Sequence, residues 1–289
     1  MKPKLLKIYV NPAHSFSSRY ERVPFFYNEW HYHPEIELVY IEKGTGTQFI
    51  GNDIDHFNAG DMVLVGSNLP HLWKCDAAYF KKDSQLWAES NVLHFLPDIF
   101  GDKFMHLPEN KLILDLLEKA KHGIKISGET KDIVFKQLQK LQIAKGGERL
   151  LILLEILYIL STSTDLQLIT INNMQHPSTA KEGERMNAVF QYLVANFNKN
   201  ITLEDIAAQA NLSPNAFCRF FKVRTKKTFS QFLMEMRVSH ACKLLTETEK
   251  SISIIYSECG FNNSSHFNRY FKQINGITPL EYRKKHWNM

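Results

Sequence analysis

A chain of 289 residues with 44% hydrophobic and 22% charged side chains is long enough for two globular domains and too apolar for an intrinsically disordered protein. The formal net charge of +5 is unevenly spread: residues 180–289 carry 16 Lys and Arg against 9 Asp and Glu, leaving 19 against 21 for residues 1–179. A basic second half suits a polyanionic partner, nucleic acid or an acidic membrane surface. Four cysteines without a CxxC pair argue against a disulfide framework and fit reduced thiols in the cytoplasm.

The N-terminus MKPKLLKIYVNP has a very short apolar run and no small-residue cleavage site, so no secretion signal is expected. From Phe25 to Phe80, short apolar stretches such as Ile36–Ile41, Gln48–Ile50 and Met62–Val65 alternate with turn signals at Lys43-Gly44, Gly51-Asn52-Asp53, Asn58–Asp61 and Ser67–Pro70. Many short strands with Gly-rich turns predict a β barrel or sandwich.

Within this segment stands His31-x-His33-x-x-x-Glu37, followed by Gly44 and later by Gly60 and His71. The order and spacing are similar to the two cupin motifs. In metal-binding cupins the equivalent residues hold a divalent cation, and three imidazoles with a carboxylate suit Fe, Ni, Mn or Zn. The other reading, preferred here, is a polar cluster at the barrel mouth bonded to itself and to ligand, with no metal and no cofactor. Trp30, Tyr40, Trp73 and Trp87 fall in or near the barrel, where aromatic faces serve the core or stack on sugars and other flat ligands. The candidate effector-binding set is Trp30, His31, His33, Glu37 and His71.

From Pro108 to about Leu160 the apolar spacing becomes helical, ending in the stretch Leu150–Leu160, apolar on nearly every side and broken by Glu155. It is too short to cross a bilayer. The barrel could cover one side, and a second subunit or other helices of the same chain the other. Residues 172–184, NNMQHPSTAKEGE, are polar, hold Pro, Gly, Ser and Thr, and read as a linker.

The stretch Ser251–Arg283 reads as helix, tight turn at Gly260, second helix, and a stop at Gly276 before Pro279. Laying Thr202–Thr228 on Ser251–Thr278 pairs Ile206 with Ile255, Phe217 with Phe267, Arg219 with Arg269, Phe221 with Phe271, Lys222 with Lys272 and Thr228 with Thr278. One supersecondary unit recurs at about 49 residues. The run Phe229–Leu245 joins the copies. A helix-turn-helix lays its second helix in the major groove, where Asn and Arg meet base edges and Lys and Arg meet phosphates. The candidate DNA-binding residues are Asn215, Ala216, Cys218, Arg219 and Lys222 in the first unit, and Ser265, His266, Asn268, Arg269 and Lys272 in the second.

Residues from about Asn187 to His286 resemble the DNA-binding domain of AraC/XylS-type transcription regulators. The matching stretches are LEDIAAQA from Leu203, RVSHACKLL from Arg237, Cys259-Gly-Phe, FNRYFK from Phe267 and GITPLEYR from Gly276. Tyr256 departs from the pattern, standing where the family usually has Ala at a tight helix crossing, and so does Lys226, where the first unit often has Gly. The resemblance implies two domains: an all-β cupin-like effector-sensing and dimerisation domain with a helical appendage over residues 1–171, and, after the linker, an all-α double helix-turn-helix domain over residues 185–289. It also implies a cytoplasmic activator that binds promoter DNA as a homodimer, answers a small molecule such as a carbohydrate, engages RNA polymerase and has no enzymatic activity. Two rival readings remain: a metal-dependent cupin enzyme with an accessory helical domain, and a ligand-independent architectural DNA binder.

Overall fold

The structure is a computed structural model and describes residues 4–27, 29–51, 53–170, 180–225 and 227–286. The chain divides into two compact units, one β-rich over Lys4–Asp53 and Phe57–Met174, the other mainly helical over Gln175–Met289, with Met1–Pro3 and Ile54–His56 grouped with it.

In chain order the first unit comprises strands β1 (Lys4–Leu5), β2 (Ser17–Val23), β3 (His31–Tyr32), β4 (Ile36–Lys43), β5 (Gly46–Ile50), β6 (Asp53–Phe57), β7 (Met62–Val65), β8 (His71–Cys75) and β9 (Ala88–Phe95). These are followed by α1 (Asp102–Met105), α2 (Lys111–Ala120), β10 (Ile124–Ile126), α3 (Gly128–Ile143), α4 (Gly147–Thr162) and β11 (Leu166–Leu168). The strands form two sheets, in the orders β1-β3-β8-β5-β6 and β11-β10-β7-β4-β9-β2. All pairs with known register are antiparallel except β1 with β3.

The six-stranded sheet is covered on both faces, which explains why every residue of β9 is buried. Val39, Ile41, Val63, Val65 and Val92 pack with Phe26, Ile50, Phe57 and Trp73 between the sheets. Leu38, Leu64 and Leu93, the alternate positions, pack with Leu116, Leu138, Leu153 and Leu157 of the helices. A strand buried on both sides loses the alternation that reveals a strand. For that reason β9, with Glu89, Ser90 and Asn91 inside it, escapes a pattern-based reading; β2 and β11 escape it because they are short of buried apolar side chains. On α4, Ile152, Leu153, Ile156, Leu157 and Leu160 are buried, while Leu151 is 69% and Tyr158 61% exposed.

The second unit holds α5 (Ala180–Asn196), α6 (Leu203–Gln209), α7 (Pro214–Thr225), α8 (Phe229–Glu247), α9 (Ile252–Glu258), α10 (Ser264–Asn275) and α11 (Pro279–His286). The expected linker is therefore shorter than residues 172–184, since helix begins at Ala180. Its residues 172–179 lie outside the described residues, as does Lys226.

Both copies of the repeat are capped alike. Thr202 caps α6 in a reciprocal box with Asp205, and Ser251 caps α9. Thr228 with Gln231 and Thr278 with Glu281 repeat the box at α8 and α11. The cores repeat too: Phe221 meets Phe232 edge-on at 5.3 Å, and Phe271 meets Tyr282 at 5.5 Å. Tyr256 is accommodated with its ring 6.1 Å from that of Phe267. In each unit an arginine secures the segment before the first helix. Arg237 donates to the carbonyls of Phe197 (2.8 Å) and Lys199 (2.7 Å), and Arg283 to those of Leu245 (3.3 Å) and Lys250 (2.6 Å).

Candidate nucleic-acid interface and effector cavity

The second helix of each unit presents one polar strip. On α7, Phe217 and Phe221 are buried while Asn215, Cys218, Arg219 and Lys222 are exposed and Ala216 half-buried. On α10, Phe267 and Phe271 are buried while Ser265, Asn268, Arg269 and Lys272 are exposed. His266 is half-buried, its ring edge-on to Tyr270 at 4.8 Å, so it offers less surface than its neighbours. The guanidinium of Arg269 lies 5.1 Å from the Tyr270 ring centroid. Neither helix contains an Asp or Glu, so neither strip repels a phosphate backbone.

The sheet-rich unit contains a small cavity of about 90 Å³ with an open mouth. Phe26, Val39, Ile41, Trp73 and Val92 give it apolar walls, and Arg19, Glu21, Tyr27, His31, Glu37, Ser90 and His94 give it polar groups. Cross-strand register assembles the polar end: His31 stands opposite His71 in the β3–β8 pair, and Glu37 opposite His94 in the β4–β9 pair. His31, His33, Glu37 and His71 are all buried, with one potential ligand atom of each inside a 4.8 Å span. Glu37 Oε2 is the hub, 2.9 Å from His33 Nε2, 2.9 Å from His71 Nε2 and 3.4 Å from His94 Nε2.

Burial opposes charge throughout this cluster. It pushes the imidazole of His31 well below its ordinary range and lowers that of His94. It also opposes ionisation of Glu37, but the facing His94 and His71, with hydrogen bonds from His33 and His71, hold the carboxyl well below the usual range. Burial likewise opposes a charge on His33, yet the hydrogen bond and charge of Glu37 raise its pKa.

Four of the five residues expected to bind effector therefore converge. Trp30 does not join them: its ring is core, edge-on to Phe49 at 6.5 Å and 1% exposed. Extended backbone sends neighbouring side chains to opposite faces, so with His31 turned to the cluster Trp30 turns away. Of the other aromatics, Trp73 lines the cavity, Tyr40 stacks on Phe135 at 4.1 Å, and Trp87 lies under Arg22. His94, Arg19 and Glu21 carry no motif and enter the site only through strand pairing.

An AraC-like ligand binding domain family matches residues 17–79, and a helix-turn-helix domain family matches residues 206–285. The HTH-type transcriptional activator RhaR of Mannheimia succiniciproducens is 24% identical over 257 residues, 88% of this chain and 87% of its own. The Melibiose operon regulatory protein of Escherichia coli K12 is 23% identical over 278 residues, 91% of this chain and 86% of its own. The HTH-type transcriptional activator RhaS of Klebsiella pneumoniae is 25% identical over 269 residues, 88% and 87% of the two chains.

Proposed function

We propose, from the premise that this chain belongs to the AraC-type transcription regulators, that it activates transcription by reading promoter DNA with α7 and α10 under the control of a small molecule held in the cavity of its N-terminal domain. It is a DNA-binding regulator and not an enzyme. The observation that carries the reading is the pair of acid-free exposed strips on equivalent helices. Arg219, Asn215 and Cys218 on one, with Arg269, Asn268 and Ser265 on the other, face base edges, while Lys222 and Lys272 face phosphates. Residues 1–171 form the sensing and dimerising part, residues 172–179 the connection and residues 180–289 the reading part. The exposed Leu151 and Tyr158 of α4 are the surface for a second copy. The protein works as a cytoplasmic homodimer beside RNA polymerase. A carbohydrate effector accords with the printed name of the melibiose relative and with the cavity's mixture of Trp73 and polar groups.

Genome-wide footprinting of the bound protein tests this. The expected result is a motif of two short elements about one helical turn (~10 bp) apart, beside genes of one pathway. Binding that ignores sequence would leave the architectural reading instead.

A further inference from the structure

Strand β2 is the last of the six-stranded sheet. Its seven residues pair with β9 in unbroken register, from Ser17 opposite His94 to Val23 opposite Ala88. Among the described residues, no backbone group of β2 bonds a neighbour on its other side. An open edge of this kind is a template for another strand, and β2 has no Pro, no Lys and no bulge to blunt it.

Charge selects the occupant. Arg19 and Glu21 lie on one face of β2 and bond each other along the strand. Laid antiparallel on a second β2 with Tyr20 opposite the partner's Tyr20, the strand sets Arg19 against the partner's Glu21 and Glu21 against the partner's Arg19. Four charges then alternate in sign. A slip of two residues either way sets Arg19 on the partner's Arg19 or Glu21 on the partner's Glu21, which is repulsive. The strand is therefore complementary to itself in one register, as a two-fold contact requires.

The flanks of the strand agree with that pairing. At its start, Ser18 accepts a hydrogen bond from Gln142 at 3.4 Å, and the Phe16 ring centroid lies 4.8 Å from the Arg149 guanidinium. The end of α3 and the start of α4 are thus beside it, and they leave Ile143 81% and Leu151 69% exposed. At the other end, Trp87 lies 5.0 Å from the Arg22 guanidinium and Phe25 packs on Phe80 at 4.6 Å, with all three rings exposed. Antiparallel pairing carries the aliphatic end of each copy to the aromatic end of the other, so both exposed patches gain cover twice over.

We propose that two copies of this chain associate through the open edge of β2, antiparallel about a two-fold axis at Tyr20, and so join their six-stranded sheets into one. This rests on the homodimer inferred above and gives it a geometry, with Leu151 of α4 at the rim of the contact. Arg19 and Glu21 also line the cavity, so the partner's charged pair stands beside the wall that faces the effector.

The test uses the full-length chain carrying Cys218→Ser, because Cys218 is exposed. Opposed residues of an antiparallel pair have Cα atoms about 4.5–5.5 Å apart, within disulfide reach. Tyr20→Cys should therefore link to its own copy under oxidised glutathione. Arg22→Cys should not, because it faces the partner's Ser18, but Ser18→Cys and Arg22→Cys chains incubated together should link. In sedimentation, Arg19→Glu should weaken the dimer roughly 10-fold or more, since two attractive cross-strand pairs become repulsive. Adding Glu21→Arg to it should restore the dimer. Arg22→Cys linking as readily as Tyr20→Cys, or a double variant as weak as Arg19→Glu, overturns the proposal. A chain that sediments as a dimer yet links at none of these positions loses β2 as its contact and keeps the homodimer. One that sediments as a monomer loses the homodimer itself.

Discussion

Asn211 and Gly260 occupy the same place in the two helix-turn-helix turns and share the left-handed backbone region, at φ of 51° and 81°. They are not equally replaceable. A Cβ on Gly260 would lie 2.6 Å from the Asn198 carbonyl oxygen, so a side chain there meets backbone as well as an unfavourable φ. Gly260→Ala should lower stability by about 1–3 kcal/mol, whereas Asn211→Gly should stay within about 1 kcal/mol of the parent. Chemical denaturation of both variants measures this, and equal midpoints would show that the backbone contact does not constrain the turn.

Arg237 is buried, bonds two carbonyls before α6, and lies 5.9 Å from the Phe261 ring of the second unit. Arg237→Ala should cost about 3 kcal/mol, because two backbone acceptors lose a charged donor. Arg237→Lys should recover only part, since one ammonium cannot reproduce the fork. Loss of cooperativity in the denaturation of the helical domain would indicate that this residue unites the two units; an unchanged curve would reduce it to a surface detail.

Arg219→Ala and Arg269→Ala should each weaken binding to the cognate site by about 1–3 kcal/mol while leaving the melting temperature alone, since both side chains are exposed. Fluorescence anisotropy against single-base variants of the site separates the roles. Relaxed preference at one base pair assigns the arginine to a base edge, and uniform weakening assigns it to phosphate.

A fragment of residues 180–289 contains both repeats with their aromatic cores. It should bind the same DNA more weakly than the full chain and ignore the effector. Should the fragment respond to effector as the full chain does, sensing would have to be assigned away from the N-terminal domain.

What the sequence revealed follows how local each feature is. The repeat was legible because Phe217 and Phe267, or Thr228 and Thr278, stand at matching helical positions within short segments. His31, His33 and Glu37 were legible because seven consecutive residues carry them. His94 and Arg19 were not, since only the pairing of β9 with β4 brings His94 to Glu37 and only its pairing with β2 brings Arg19 to His94. Trp30 was misassigned because proximity in sequence to His31 says nothing of which face a side chain takes. Which ring nitrogen of His31, His33 and His71 faces a carbonyl is a matter of loop conformation that residue spacing does not encode.

The connector α8 is 19 residues long, about 28 Å of helix, and Phe232, Leu233, Met234, Met236, Val238, Ala241 and Leu245 bury it along most of its length. One added residue would turn everything beyond it by about 100° and move it ~1.5 Å, wrecking that packing. The phase between the two reading heads is therefore frozen into the fold. On the proposed reading, a descendant of this chain can acquire new target sequences by exchanging side chains on α7 and α10, but it cannot tune the spacing between the two elements, and promoters must evolve to fit a ruler of fixed length.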